Sequence, residues 1–139
     1  MIIKLNNQTT SEPTAAPSFE DTENLKQETM ESLSGYVSNL ADKMSAMITE
    51  LREDIKEDSW EYLRMMVDGF NWVLEAYNAL SDTLNPDGAN FDNKAFDTTI
   101  AEFGKAFCSK NIDSVTAYLE SDIVPFLRKL DTVVTEKLS

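Results

Sequence analysis

Apolar residues recur at alternating intervals of three and four residues through the first half of the chain, which is the periodicity of an amphipathic α-helix. The first series consists of Met30, Leu33, Val37, Leu40, Met44, Met47 and Leu51. A flanking row widens this stripe and is formed by Ala41, Ile48 and Ile55. The pattern predicts a first helix over about residues 22–55, which Asp21 or Thr22 could cap.

A second apolar series follows, but it is out of phase with the first. Its members are Trp60, Leu63, Val67, Phe70, Leu74 and Tyr77. Asp58 and Glu61 stand three residues apart, which is the spacing of a capping box. We therefore predict a turn near residues 56–59 and a second helix over about 59–84. One long helix with a rotating stripe is the alternative, because no glycine or proline forces a break.

The predicted second helix is apolar over more of its surface than a bundle helix requires. Its polar residues are Glu57, Glu61, Arg64, Asp68, Asn71, Glu75, Asn78 and Asp82. They occupy an arc of roughly 100°, and most of the remaining circumference is apolar. The helix should therefore lie centrally among several neighbours, or another molecule should cover part of it.

Four side chains of this helix are the candidates for contact with a partner. Met65 and Trp72 lie seven residues apart, at the margin between the apolar surface and the polar stripe. Trp60 and Met66 complete the candidate set. Methionine adapts to irregular partner surfaces, although packing inside the bundle is the alternative for each of these residues.

Two further helices are predicted after a turn at Asn85-Pro86-Asp87-Gly88, where proline and glycine favour a change of direction. Asp92 is suited to cap the third helix, with Phe91 and Phe96 in the register of a hydrophobic staple. The third helix should end near residues 108–110, and Asn111 suits a left-handed cap.

The fourth helix contains a proline. Asp113 can cap it, and Pro125 lies within its apolar series. Pro125 should kink this helix, or the helix should restart at Ser121 or Asp122 so that the proline falls in a new first turn.

These elements predict an all-α protein that resembles a four-helix bundle. Residues 1–20 are rich in Asn, Thr, Ser and Pro, which predicts a disordered tail. Within it, Ile2, Ile3 and Leu5 are the residues that could dock elsewhere or contact a partner. Residues 21–139 are predicted to form a single helical domain.

A stretch near the end of the chain resembles a pattern found in small bacterial helical proteins. It runs from Ser109-Lys110-Asn111-Ile112-Asp113 to Ile123-Val124-Pro125-Phe126-Leu127. The shared features are a Lys-Asp type of cap, an acidic leucine-rich helix and an internal proline followed by leucine. The resemblance covers about 20 residues and implies an uncharacterised, small, acidic, all-helical bacterial protein. It transfers no activity and no functional residue.

Composition excludes several classes of function. The 139 residues include 12 Lys+Arg, 25 Asp+Glu and no histidine, which gives a formal net charge of −13. Nucleic acid would be repelled by such a chain. Catalysis by histidine and metal sites with histidine ligands are impossible. No signal peptide or membrane span is apparent. We therefore expect a cytoplasmic protein that binds neither nucleic acid nor membranes.

The remaining chemical candidates have simpler explanations. Carboxylate pairs such as Glu57/Glu61 and Asp68/Glu75 fit a solvated helix face, and di-iron bundles also need histidine. The turn at Asn85-Pro86-Asp87-Gly88 lacks the first and last ligands of a calcium loop. Cys108, the single cysteine, is expected to be a small hydrophobic residue in or near the core. We predict no catalytic, cofactor-binding or metal-binding residue, no cofactor, and a protein that is not an enzyme.

Three functions remain open on the sequence. The leading hypothesis is a non-catalytic interaction protein, such as an adaptor or a small export-type chaperone, that binds an amphipathic or basic segment. The second is a homodimer with a structural or regulatory role, in which the second helix buries its surplus apolar surface. The third is a bundle that binds a small ligand in a pocket lined by Trp60, Phe70, Trp72 or Tyr77.

Overall fold

The computed structural model describes residues 19–138, with side chains from Leu25 onward. Six α-helices follow one another along the chain: α1 Phe19–Glu53, α2 Ser59–Ala79, α3 Ser81–Leu84, α4 Asn93–Cys108, α5 Ile112–Tyr118 and α6 Val124–Leu138. A 3₁₀ turn, Pro86–Gly88, precedes α4, and a π-helical turn, Leu119–Ile123, joins α5 to α6. The described residues contain no strand, so the predicted all-α fold is confirmed.

The apolar series of the first helix forms one side of the core. All seven of its members are buried, as are Ala41 and Ile48. Ile55 is 46% exposed, because α1 ends two residues earlier at Glu53, so its assignment to the stripe was wrong. Asp21 and Thr22 lie inside α1 rather than at its start. Residues 1–18 of the predicted tail lie outside the described residues, whereas Phe19 and Glu20 belong to α1.

The predicted turn between the first two helices is present, and Ser59 fixes it. The Ser59 hydroxyl accepts a hydrogen bond from the Lys56 backbone N–H at 2.8 Å and donates one to Glu50 Oε2 at 2.7 Å. Asp58 is the N-cap residue, but its side chain makes no capping hydrogen bond to the described part of α2. The predicted capping box is therefore wrong, because the neighbouring hydroxyl ties the turn to α1 instead.

Several helices form the core, and most of them pack against α1. Helix α1 packs against α2, α5, the π-helical turn and α6. Helix α2 packs against α1 and contacts two further helices through aromatic rings. Phe70 lies 6.5 Å from Phe96 of α4 and 6.2 Å from Phe126 of α6, measured between ring centroids. The wide apolar surface of α2 thus serves several neighbours at once.

The predicted second helix is interrupted before its expected end. Helix α2 stops at Ala79, and the separate single turn α3 follows Leu80. The predicted turn at residues 85–88 is confirmed, with Asp87 and Gly88 at positive φ. The buried Asn85 side chain holds this loop by accepting hydrogen bonds from the backbone N–H groups of Asn90 and Phe91.

The start of α4 follows the prediction, whereas its end does not. Asp92 accepts a hydrogen bond from the Ala95 N–H at 3.1 Å, as an N-cap does. At the other end, Lys110 takes the left-handed conformation predicted for Asn111. Asn111 instead caps α5 by accepting from the Ser114 N–H. Asp113 therefore lies in the first turn of α5 and is not its cap, which corrects the prediction.

Pro125 distorts a continuous helical run without interrupting it. The backbone angles at Leu119 and Val124 are α-helical, and the Val124 N–H donates to the Leu119 carbonyl five residues earlier. A proline has no N–H and crowds the carbonyl four residues before it. The wider π-helical turn just before Pro125 accommodates both effects, so the predicted restart at Ser121 or Asp122 is wrong.

Candidate interaction surface

A groove runs along the surface between α1 and α2. Its volume is about 480 Å³, and most of its lining is apolar. The residues that line it are Tyr36, Asn39, Leu40 and Lys43 from α1 and Tyr62, Met65 and Met66 from α2. Leu40 is buried at its base, whereas the two tyrosines and Met65 form exposed walls. We call this feature the α1–α2 groove.

Tyr36 closes one end of the groove by lying across α2. Its ring stands edge-on to the ring of Trp72, with centroids 5.5 Å apart and an angle of 87° between the planes. Its hydroxyl lies over Gly69, where a side chain would collide with it. Partial burial raises the pKa of the Tyr36 phenol above its ordinary value, so the ring is neutral at physiological pH.

Large apolar side chains remain exposed beside the groove. Met65 is 64% exposed, Tyr62 is 51% exposed and Trp72 is 40% exposed. In an α-helix, residues three or four apart share a face, so these side chains and Tyr36 form one patch along the groove. Exposed apolar patches that are contiguous often mark interaction sites.

An acidic row borders this patch on α2. Glu61, Asp68 and Glu75 are exposed, and they alternate with Met65 and Trp72 at intervals of four and three residues. Lys43 lies on the opposite wall, on α1. The groove therefore has an apolar interior and an acidic border along its α2 side.

The structure brings three of the four predicted partner-contacting residues to this surface. Met65 and Trp72 are exposed there, and Met66 lines the groove while packing partly against the core. Trp60 lies elsewhere, because its ring packs 6.2 Å from that of Phe107 on α4. The structure therefore places Trp60 apart from the other three candidates.

Two residues of the groove, Tyr36 and Tyr62, were not among the candidates. Tyr36 directly precedes the buried Val37 in α1, and Tyr62 directly precedes the buried Leu63 in α2. Each aromatic ring therefore lies next to the core series in the sequence, where either burial or exposure fits the periodicity. Whether the two rings line the same groove depends on how α1 packs against α2, and the helical period does not specify that packing.

The residues suggested for a ligand pocket do not converge. Phe70 and Tyr77 are buried and each packs edge-on against Phe126. Trp72 lies on the surface beside the groove, and Trp60 contacts α4. The four rings thus belong to three different environments.

Cys108 is exposed, so the prediction of a thiol in or near the core was wrong. It is the last residue of α4, and its neighbours Ala106 and Phe107 turn toward the core instead. Among the described residues, no three His, Cys, Asp or Glu side chains come together as a group that could hold a metal ion. No helix in the described part is both long and apolar enough to cross a membrane.

A family model matches residues 28–133, which is most of the chain. The chain belongs to the family described as domain of unknown function (DUF8042). The DUF8042 region includes every residue that lines the α1–α2 groove, together with the acidic row of α2. It also contains the C-terminal stretch that resembled uncharacterised helical proteins. No curated protein and no solved structure matches the chain.

Proposed function

We propose that this protein is a non-catalytic interaction module, an adaptor or small export-type chaperone, whose α1–α2 groove binds an amphipathic helix with basic residues. The observation that carries the proposal is the apolar groove, exposed and bordered by acidic side chains along one edge. The proposal includes a cytoplasmic location, since a single cysteine offers no internal disulfide.

The apolar part of the groove supplies the kind of side chains that dominate binding energy. Tyrosine, tryptophan and methionine are enriched at the centres of interfaces, where they bury large areas. Tyr36, Tyr62, Met65 and Trp72 meet this description, because each is more than a third exposed and all lie in or directly beside the groove. Methionine also adapts to the shape of different partners.

The shape of the groove favours a helical occupant. Two neighbouring helices leave a straight furrow between them, and an amphipathic helix can lay its apolar face in such a furrow. From Tyr62 in the groove to Trp72 beside it, the exposed apolar side chains of α2 extend over about 15 Å, or nearly three helical turns. A partner would present apolar residues at intervals of three and four over that length.

Charge supports a basic partner rather than a second copy of the chain. The acidic row of Glu61, Asp68 and Glu75 would attract basic side chains on the edge of a partner helix. A second copy would instead bring another net charge of −13 to the same surface, and like charges oppose association. The observations therefore favour a basic partner over a homodimer.

Isothermal titration of the full chain with synthetic helical peptides tests the proposal. One peptide carries an apolar face flanked by lysines, and its control has the same apolar face flanked by glutamates. We expect the basic peptide to bind and Met65→Asp to weaken binding at least about tenfold, roughly 1.4 kcal/mol. Ala101→Asp, at an exposed position of α4, adds the same charge away from the groove and should weaken binding much less.

Equal weakening by Met65→Asp and Ala101→Asp would place binding outside the groove and refute the proposal. Binding of neither peptide, together with a dimer in sedimentation equilibrium that Met65→Asp dissociates, would favour the homodimer instead. Circular dichroism of each variant confirms that the helices are intact.

A further inference from the structure

We propose that the segment Met1–Leu5 of the same chain occupies the α1–α2 groove when no partner is bound. The inference shares the groove with the proposed function but requires no second protein. It rests on the composition of residues 1–18, on the length of chain that precedes α1 and on charge.

The apolar residues that precede α1 are concentrated in one short segment. Ile2, Ile3 and Leu5 follow Met1, whereas residues 6–18 contain no large apolar side chain. An extended segment of five residues measures about 17 Å. Along α1 the groove extends from Tyr36 to Lys43, about 10 Å, so a segment of this length is long enough to fill it.

The connecting chain is long enough to return to the groove. Phe19 begins α1, and Tyr36 lies 17 residues further along the helix, a distance of about 25 Å. Residues 6–18 can span at most about 43 Å when fully extended. Their average end-to-end distance as a flexible chain is about 20 Å, so reaching the groove requires only moderate extension.

The pattern of the segment matches the two sides of the groove. In an extended chain, alternate side chains point in opposite directions, so Ile3 and Leu5 share one side, and Ile2 and Lys4 lie on the other. With Leu5 beside Tyr36, where the connecting chain arrives, and Ile3 against Met65, Lys4 would lie on the outer side, within reach of the acidic row of α2. The segment carries one positive charge, whereas a second copy carries a net charge of −13, which favours the segment as the occupant.

A paramagnetic label near the segment tests this arrangement without any partner. The chain carries Cys108→Ser to remove its native thiol and Asn6→Cys as the nitroxide site, which leaves Met1–Leu5 intact. We expect the backbone amide signals of residues 36–43 and 62–72 to lose much more intensity than those of α4. Helix α4 contacts the other side of α2 through Trp60 and Phe107, so it reports on non-specific approach.

The double substitution Ile3→Ser/Leu5→Ser in the labelled chain is the matched control, and it should restore the groove signals. Equal losses in the groove and in α4, or losses that the double substitution leaves unchanged, would overturn the inference. A second sample mixes a nitroxide-labelled chain without ¹⁵N and a ¹⁵N chain without nitroxide. Signal losses in that sample would show that the segment of a second copy occupies the groove, which would also overturn the inference. No peptide is present in the labelling experiment, so a negative result there rejects the binding of Met1–Leu5 without rejecting the proposed function. A negative peptide titration would reject the proposed function without rejecting the binding of Met1–Leu5.

Discussion

The hydroxyl of Tyr36 lies directly over the backbone of Gly69, where a methyl group added to the glycine would stand 1.8 Å from the phenol oxygen. A tyrosine of α1 therefore occupies the space that any other residue would fill on α2. The same ring packs edge-on against Trp72, so the missing side chain at Gly69 positions two aromatic residues of the groove.

Substituting Gly69 tests this relationship. In the interior of a helix, alanine is more favourable than glycine by about 0.5–1 kcal/mol. Gly35→Ala should show this gain in the free energy of unfolding, because nothing lies within 4 Å of its added methyl group. Gly69→Ala should gain less or lose stability, since Tyr36 must leave its position. Urea unfolding measures both changes, and the tryptophan fluorescence, to which Trp72 contributes together with Trp60, should shift only in Gly69→Ala.

Removing the ring provides the control for this comparison. In a Tyr36→Ala background the obstacle is gone, so Gly69→Ala and Gly35→Ala should give similar gains. If the two substitutions are already equivalent in the unaltered chain, Tyr36 does not occupy the space above Gly69.

The turn between α1 and α2 should depend on Ser59 rather than on its neighbour Asp58. Ser59→Ala removes the hydrogen bonds that its hydroxyl makes to the Lys56 N–H and to Glu50. We expect a loss of about 1–2 kcal/mol in the free energy of unfolding, because the hydroxyl is buried and one of its bonds is to a carboxylate. Asp58→Ala should cost less than about 0.5 kcal/mol, below the usual cost of losing a capping side chain. Equal losses in urea unfolding would contradict the structure.

Alkaline pH should destabilise the protein through the buried phenol of Tyr77. Burial raises the pKa of the Tyr77 phenol above its ordinary value of 10.0. As the pH rises past 10, the unfolded chain releases this proton before the folded protein does, so the free energy of unfolding falls. Tyr77→Phe should therefore lose less stability than the unaltered chain between pH 9 and pH 11. Urea unfolding across that range measures the difference, and parallel curves would contradict the prediction.

At neutral pH the same substitution reports on a hydrogen bond. The Tyr77 hydroxyl donates to Asn93 Oδ1 at 2.5 Å, which connects α2 to the start of α4. Tyr77→Phe keeps the ring and its contacts with Phe91 and Phe126, so the expected cost at pH 7 is only about 1 kcal/mol.

The thiol of Cys108 should react readily in the folded protein. Its exposure at the end of α4 leaves it open to a reagent such as a maleimide. We expect one equivalent to react in the native state at nearly the rate found in urea. Mass spectrometry over time measures both rates. Strong protection in the native state would restore the expectation of a buried thiol.

The helical period predicted the core but not the ends of the helices. Leu33, Val37 and Leu40 were assigned to the core from spacing alone, and each is buried. Ends depend on single hydrogen bonds instead, such as the choice of Ser59 over Asp58. Lys110 and Asn111 illustrate the same limit, because either could take the left-handed conformation after α4. Lys110 takes it because Asn111 caps α5 through its hydrogen bond with the Ser114 N–H.

The groove was predictable only in part for a related reason. Met65 and Trp72 lie at the margin of the polar stripe, which can be seen from the period of α2 alone. Tyr36 contributes because α1 crosses α2 at Gly69, and that crossing depends on side-chain packing between two helices. Trp60 lies apart from the groove because a helix with several neighbours can pack an aromatic ring against any of them, and its ring packs against Phe107 of α4.

The loop between α3 and α4 should depend on the Asn85 side chain. Its oxygen accepts from the N–H groups of Asn90 and Phe91 at 2.9 and 2.8 Å, and its amide donates to the Phe91 carbonyl at 3.0 Å. Asn85→Ala leaves buried backbone groups without these partners, so we expect a loss of about 3 kcal/mol in the free energy of unfolding. Asn85→Asp keeps an acceptor for both N–H groups and should lose less. Asn78→Ala, at an exposed position of α2, is the control and should change stability by less than about 0.5 kcal/mol. Urea unfolding ranks the three variants, and a loss for Asn85→Ala no larger than that for Asn78→Ala would contradict the role of Asn85 in the loop.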